Sequence, residues 1–144
     1  MVVQDFTPLA VLQEEKRKGQ HPVILVAEDH LPTQKILARW LALQGYQPAC
    51  ATNGQKALQW MEQTWQTPEY PRAILLDLWL PLMDGRQFLA ALRRKQAQPL
   101  PPVILLSGEY CNAAQLDCSA SLLKPFHLAD LRDCLEQVCQ MEQG

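Results

Sequence analysis

Long apolar stretches are missing from this chain of 144 residues: no uninterrupted apolar run exceeds five, as at Val23–Ala27. A bilayer-spanning helix needs roughly 18 or more, so no transmembrane helix is predicted. The start has no basic residues leading into an apolar stretch, so it does not read as a secretory leader. Charge of one sign is also missing. Thirteen basic and fifteen acidic side chains leave a net charge of −2, which supplies no basic face for nucleic acid. The five cysteines (Cys50, Cys111, Cys118, Cys134 and Cys139) are odd in number and contain no C-x-x-C pair. That argues against a disulfide framework or a zinc site. They read as reduced thiols in a cytoplasmic protein, each a small buried hydrophobe. Internal repeats and low-complexity segments are absent too.

What is present is 48% hydrophobic content in a length that suits one domain. Residues 1–21 read as an N-terminal extension, a short helix or a disordered arm, with the charged stretch Glu14–Lys18 and no chemistry of their own. The folded domain is expected over 22–142. From Val23 a rhythm begins, in which short apolar runs alternate with amphipathic stretches of helical length. Strands are predicted at Val23–Ala27, Tyr46–Ala51, Ala73–Asp77, Val103–Leu106 and Ala120–Leu123. Helices are predicted at Thr33–Gln44 (Ile36, Leu37, Trp40 and Leu41 inward), Gln55–Thr64 (Ala57, Leu58 and Met61) and Arg86–Lys95 (Phe88, Leu89 and Leu92). A last helix is predicted at Leu128–Gln140, with Leu128, Leu131, Leu135 and Val138 inward. Asn53-Gly54 reads as a turn, and Arg93, Arg94 and Lys95 as a solvated face. Apolar strands alternating with helices give an α/β fold, a doubly wound five-stranded parallel sheet covered on both faces.

In such sheets ligands bind beyond the carboxyl ends of the strands. Those ends carry Glu28-Asp29, Asp77, Ser107 and Lys124-Pro125. Three carboxylates, a hydroxyl and an ammonium on one edge suggest a magnesium and phosphoryl site. Clustered carboxylates repel unless a cation joins them, and oxygen donors suit a hard ion such as Mg²⁺. Asp77, ending the most apolar central strand, is the candidate nucleophile for an aspartyl phosphate. Lys124 would place positive charge on the transferring oxygens, and Ser107 would donate a hydrogen bond to one of them. Each residue alone would be an ordinary cap or turn residue; their joint occurrence carries the reading.

These residues resemble the receiver domain of two-component response regulators, the family of the bacterial chemotaxis response regulator. The blocks that carry the likeness are Val26–Asp29, Leu75–Gly85, Leu105–Ser107 and Lys124–Phe126, with Asn53-Gly54 and Ala57-Leu58 beside them, in a span of about 22–141. The resemblance implies a flavodoxin-like strand order 2-1-3-4-5. It implies that Asp77 accepts a phosphoryl group from a sensor histidine kinase or phosphotransfer protein. It also implies that Glu28, Asp29, Asp77 and the Trp79 backbone carbonyl bind Mg²⁺, that Ser107 and Lys124 contact the phosphoryl group, and that the peptide before Pro125 is cis. The implied output is a protein-interaction surface, switched on a downstream protein target by a shift between two packings. The implied state is a monomer or weak homodimer, in the cytoplasm, with no nucleic acid or membrane contact.

Three departures qualify this. The strand-five position that is usually aromatic, three before the lysine, is Ser121, with Tyr110 as the candidate substitute. Ser107 and Lys124 are 17 apart in sequence, more than one helical turn (~3.6 residues) short of the family spacing. The fourth helix, between strands four and five, is therefore expected to be shortened or distorted. Trp79 stands two after Asp77, where its ring could shield an acyl phosphate from water. The last helix reaches the chain end, so the expectation is a stand-alone receiver or a fragment of a hybrid kinase or larger regulator. The alternative is a degenerate receiver, a protein-binding module that signals without phosphate. An aspartyl-phosphate phosphatase is disfavoured because Trp79 takes the place of its proton-donating aspartate. A flavin carrier is disfavoured because Glu28-Asp29 would repel a phosphate.

Overall fold

A computed structural model describes residues 21–96 and 99–143. The strands are β1 (Val23–Ala27), β2 (Gln47–Ala51), β3 (Ala73–Asp77), β4 (Val103–Ser107) and β5 (Ala120–Leu123). The α-helices are α1 (Leu31–Leu43), α2 (Gly54–Thr64), α3 (Gly85–Lys95) and α4 (Leu128–Gln143). All strand pairs are parallel, in the order β2-β1-β3-β4-β5. The fold is thus the predicted doubly wound sheet. The extension predicted over 1–21 lies, up to Gln20, outside the described residues.

Side chains alternate across a strand, and this splits the core in two. On one face Leu25, Ile74, Leu76 and Leu105 pack with Met61 of α2 and Phe88 and Leu92 of α3. On the other, Ile24, Val26, Leu75, Ile104 and Leu106 pack with Leu37 and Leu41 of α1 and Leu131 and Leu135 of α4. β1, β3 and β4 are buried along their whole length, as apolar strands covered on both sides must be.

Local chemistry starts the helices. Thr33 N–H donates to the His30 ring ahead of α1, which carries Pro32 in its first turn, a proline position that costs no hydrogen bond. Asn53 is not a turn residue but the N-cap of α2, its side chain accepting from Lys56 N–H at 2.8 Å. Asp84 and Gln87 form a reciprocal capping box at α3, which satisfies two otherwise orphaned donors.

The stretch between β4 and β5 departs furthest from a regular doubly wound plan. In place of a fourth-helix crossover there is a single 3-10 turn, Ala113–Leu116. Cys111, Ala113, Leu116 and Cys118 lean on the core from this segment. The Arg93 guanidinium donates to the carbonyls of Leu116 (2.7 Å) and Asp117 (3.0 Å). This corrects the reading of Arg93 as merely solvated; Lys95 is exposed as expected and pairs on the surface with Glu62 at 2.9 Å. Two further expectations fail. Ile36 is 60% exposed rather than inward, because Gln34 takes the inward position on α1. None of the cysteines is fully buried, and Cys50, on edge strand β2, is exposed.

The close approach of α2 to the loop after β3 rests on Gly54. Its N–H donates to the Met83 carbonyl at 3.0 Å, and a Cβ there would lie 2.1 Å from that oxygen. We expect Gly54→Ala to lose about 1–3 kcal/mol of stability, the range for forced overpacking. Gly108→Ala, where a Cβ meets nothing within 4 Å, serves as the reference. Urea unfolding of both variants reads this directly; equal midpoints would refute the packing argument.

Candidate functional site

Register assembles the site. Ala27 pairs with Leu76, so the next residues along, Glu28 and Asp77, are neighbours at the carboxyl edge. Asp77 pairs with Leu106, which places Ser107 one step beyond. Ser107 pairs with Leu123, and its carbonyl accepts from Lys124 N–H at 2.7 Å. Lys124 thus enters the same edge from the outer strand. The Lys124–Pro125 peptide is cis.

The Lys124 ammonium lies 2.6 Å from Glu28 Oε1 and 3.0 Å from Asp77 Oδ2. Asp77 Oδ1 accepts from Trp79 N–H at 2.9 Å. Glu28 is fully buried and Asp77 nearly so, whereas Asp29 is exposed. Each of the three acids offers a carboxylate oxygen within 4.8 Å of the others. Ser107 is buried, and its hydroxyl accepts from Glu109 N–H at 3.1 Å.

Electrostatics divide the two buried acids. Burial pushes the Glu28 carboxyl up to about 7, the Asp77 carboxylate beside it adds to this, and Lys124 opposes it. Burial works to raise Asp77 as well, but Glu28, the Trp79 N–H and Lys124 outweigh it and hold Asp77 below the ordinary carboxylate range. Lys124 loses some basicity to burial, yet its two carboxylate partners raise it above a free lysine. Asp77 is therefore the more readily ionised member of the pair and Glu28 the more readily protonated one.

A divalent cation fits this set. Glu28 Oε2 is buried without a hydrogen-bond partner, an orphaned acceptor that costs free energy until something coordinates it. Oxygen donors alone, two of them behind the protein surface, suit a hard ion that keeps some of its water.

Sequence reasoning overlooked the supports of this site. Gln34 is buried, and its side-chain N–H donates to the carbonyls of Glu28 (2.9 Å) and Ala51 (3.4 Å). It ties α1 to the strand ends and fixes the Glu28 backbone. Leu82 stands at φ 67° in a three-residue turn closed by Met83 N–H to the Pro81 carbonyl at 2.7 Å. That conformation is costly for a leucine, and nothing in the side chain signals it. Trp79, Leu82 and Tyr110 are large apolar side chains left exposed on the loops that follow β3 and β4.

Comparisons with known proteins agree with this fold. The family model for the response regulator receiver domain matches residues 24–136. The chain is 31% identical over 124 residues to the regulatory protein AtoC of Escherichia coli K12, covering 83% of this chain and 25% of that one. It is 35% identical over 115 residues to the transcriptional regulatory protein PrrA of Mycobacterium tuberculosis, covering 76% and 46%. The chain thus spans a quarter to about half the length of these curated relatives. Among solved structures, the receiver domain of the sensor histidine kinase PA1611 from Pseudomonas aeruginosa PAO1 superposes with a TM-score of 0.72 at 26% identity, covering 83% of this chain and 98% of that one. That domain holds a magnesium ion in its active-site cleft. The chemotaxis protein CheY4 of Vibrio cholerae shares the fold, with a TM-score of 0.72 at 22% identity over 82% of this chain and 98% of that one. No helix among the described residues is long and apolar enough to cross a membrane.

The raised Glu28 carboxyl makes a stability prediction. Between its unfolded value of 4.5 and its folded value of about 7, the folded state binds more protons than the unfolded one. Stability therefore falls as pH rises through that window. In chelator we expect a Tm roughly 2–8 °C lower at pH 8 than at pH 5, and a flatter profile for Glu28→Gln. Magnesium chloride should raise Tm more at pH 8, where the carboxylate is free to bind. A wild-type profile as flat as that of Glu28→Gln would sink this account.

Proposed function

The chain belongs to the response regulator receiver domain family, and from that premise we propose that it is a working phosphoryl acceptor in two-component signalling. Asp77 takes the phosphoryl group from a sensor histidine kinase or phosphotransfer protein, and the modified domain acts on a downstream protein target. The observation that carries this reading is the single cluster in which Lys124 bridges buried Glu28 and Asp77 while a Glu28 oxygen stays unpartnered.

Asp77 attacks the phosphorus of a donor phosphohistidine. The new O–P bond forms as the P–N bond breaks, and the departing imidazole keeps the electron pair. The Trp79 N–H on Oδ1 holds the carboxylate plane, so the nucleophile is oriented before the donor arrives. The Lys124 ammonium, on a flexible stem and partly exposed, moves from the carboxylates to the phosphoryl oxygens. The Ser107 hydroxyl donates to another of those oxygens. Glu28, Asp29, Asp77 and the Trp79 carbonyl would hold Mg²⁺, which when bound offsets the charge of the acids and of the transferring group. Glu28 would serve as a ligand in its ionised form, so metal binding there would compete with protonation of that carboxyl.

A protein donor is supported by the surface beside the site. An apolar groove of ≈480 Å³ runs between α1 and residues 124–128, lined by Ile36, Leu37, Pro125, Phe126 and the Lys124 stem. It gives the outward Ile36 a use, since a helix of the donor laid there would bring its histidine to Asp77. The relatives are longer regulators, so this chain's output target is identified only as a protein.

Intact mass after incubation with magnesium and a small-molecule phosphodonor tests the reading. Wild type should gain one phosphoryl group, lost with chelator, and Asp77→Asn should gain none. A folded wild type that gains nothing from several donors would replace this reading with the phosphate-independent binding module. Trp79, 62% exposed beside Asp77, covers one approach of water to the acyl phosphate. Trp79→Asn should shorten the phosphoryl half-life roughly 2–10-fold, equivalent to about 0.4–1.4 kcal/mol in barrier. An unchanged half-life would dismiss the shielding role.

A further inference from the structure

The segment that stands in for a fourth-helix crossover carries two cysteines, Cys111 and Cys118, one on each side of the 3-10 turn Ala113–Leu116. Neither belongs to the site at the carboxyl edge. Both are half-buried against the same core cluster, so the two side chains enter one side of the sheet. A crossover helix of about 11 residues would span roughly 16 Å and hold its ends apart. One 3-10 turn of four residues covers roughly 8 Å, and the chain then folds back. Gln115 N–H donates to the Asn112 carbonyl, Asp117 N–H to the Ala114 carbonyl (both 3.1 Å) and Cys118 N–H to the Ala113 carbonyl at 2.8 Å. Asp117 stands at φ 57°, the left-handed conformation that reverses a chain after a helical turn. The backbone that leaves Cys111 is thus returned toward it at Cys118, and bridged cysteines need Cα atoms about 4.4–6.8 Å apart.

Each thiol is also placed. Cys118 Sγ donates to the Leu116 carbonyl at 3.5 Å, and the same carbonyl accepts from the Arg93 guanidinium at 2.7 Å. A cation therefore stands beside this sulfur. Burial pushes the Cys118 thiol up to about 11; Arg93 opposes this, and the negative charge of Asp117 and of an ionised Cys111 adds to it. Cys118 thus keeps its proton and is the slower thiol to attack. Cys111 borders a cavity of ≈150 Å³ beside Ser107 and Ser121, and its carbonyl accepts from the Ser121 hydroxyl at 3.0 Å. It is the cysteine of the two that a small molecule reaches.

We propose that Cys111 and Cys118 form a reversible disulfide across this turn, with a low-molecular-weight disulfide such as oxidised glutathione as the oxidant. Nothing in it requires a phosphoryl group on Asp77. The Cys111 thiolate attacks one sulfur of the oxidant, whose S–S bond breaks; the departing thiolate keeps the electron pair and takes a proton from water. Cys118 then gives its proton to water and attacks the Cys111 sulfur of the mixed disulfide, releasing the second glutathione. Arg93 offsets the charge on the attacking sulfur. Two protein thiols are oxidised and one glutathione disulfide is reduced to two thiols. The closed loop is short, so it removes little entropy from the unfolded chain, and the bond is easily reduced again. Reduced, the segment between β4 and β5 is held by hydrogen bonds and packing; oxidised, it is closed covalently, and a protein that meets this surface finds it fixed.

The test incubates the full chain with mixtures of reduced and oxidised glutathione, blocks the remaining thiols with iodoacetamide and maps the tryptic peptides. Trypsin cuts after Lys95 and Arg132 and spares Lys124-Pro125, so one peptide, 96–132, carries Cys111 and Cys118 and no other cysteine. Oxidation should leave that peptide two hydrogens lighter with neither thiol alkylated, and dithiothreitol should restore both. Cys118→Ser should stop at a single glutathione adduct on Cys111. Two alkylated thiols at every glutathione ratio overturn the inference. So does a wild type that stops at the Cys111 adduct, or a bridge from either cysteine to Cys50, Cys134 or Cys139.

Discussion

The arrangement depends on two carboxylates, Glu28 and Asp77, placed side by side out of water at the ends of adjacent central strands. Two buried negative charges at this separation are not tolerated without a counter-charge. The chain answers twice. Lys124 bridges both groups, and Glu28 retains a proton up to about pH 7. One Glu28 oxygen is still left without a hydrogen-bond partner. Protonation of Glu28 and the Lys124 bridge are therefore two responses to one electrostatic knot. On the proposed function, metal loading and phosphoryl transfer would be further exchanges of charge at the same place.

The sheet supplies this knot with rigidity. Three strands buried along their whole length fix the backbone to which Glu28, Asp77 and Ser107 are attached. Gln34 secures the Glu28 carbonyl, and Gly54 secures the loop beyond Asp77 through the Met83 carbonyl. These ties come from α1 and α2, on opposite faces of the sheet. The site is clamped from both faces of the sheet, while the loops that follow β3 and β4 leave Trp79, Leu82 and Tyr110 exposed. Parts that must hold geometry sit on strands, and parts that must meet a partner sit on loops.

What could be read from the sequence follows from the same division. Strands β1, β3 and β4 are apolar runs between proline, glycine and charged punctuation, and their polar last residues announced the site. Supports made by backbone groups left no such trace. Gln34 looks like any surface glutamine until the carbonyls of Glu28 and Ala51 are seen to lack a donor, and its inward turn is what displaces Ile36 to the outside. Arg93 looked solvated because its acceptors, the Leu116 and Asp117 carbonyls, lie in a segment with no periodicity. Asn53 looked like a turn because asparagine serves both turns and helix caps. Register, loop conformation and backbone acceptors arise in three dimensions, and single side chains report them weakly.

The two main departures from the family pattern, the lost helix between β4 and β5 and the serine at position 121, express one constraint. Strand β5 alternates: Ala120 and Leu122 pack with the α1 and α4 side, whereas Ser121 and Leu123 face the other way and are exposed. That second side is the one a crossover helix would cover. A single 3-10 turn brings only Cys111, Ala113, Leu116 and Cys118 against the core, too little to blanket the edge strand. A large aromatic at 121 would then stand in water on a strand edge, an aggregation hazard, whereas serine can satisfy itself on the Cys111 carbonyl. Shortening the crossover therefore selects a small polar residue at 121.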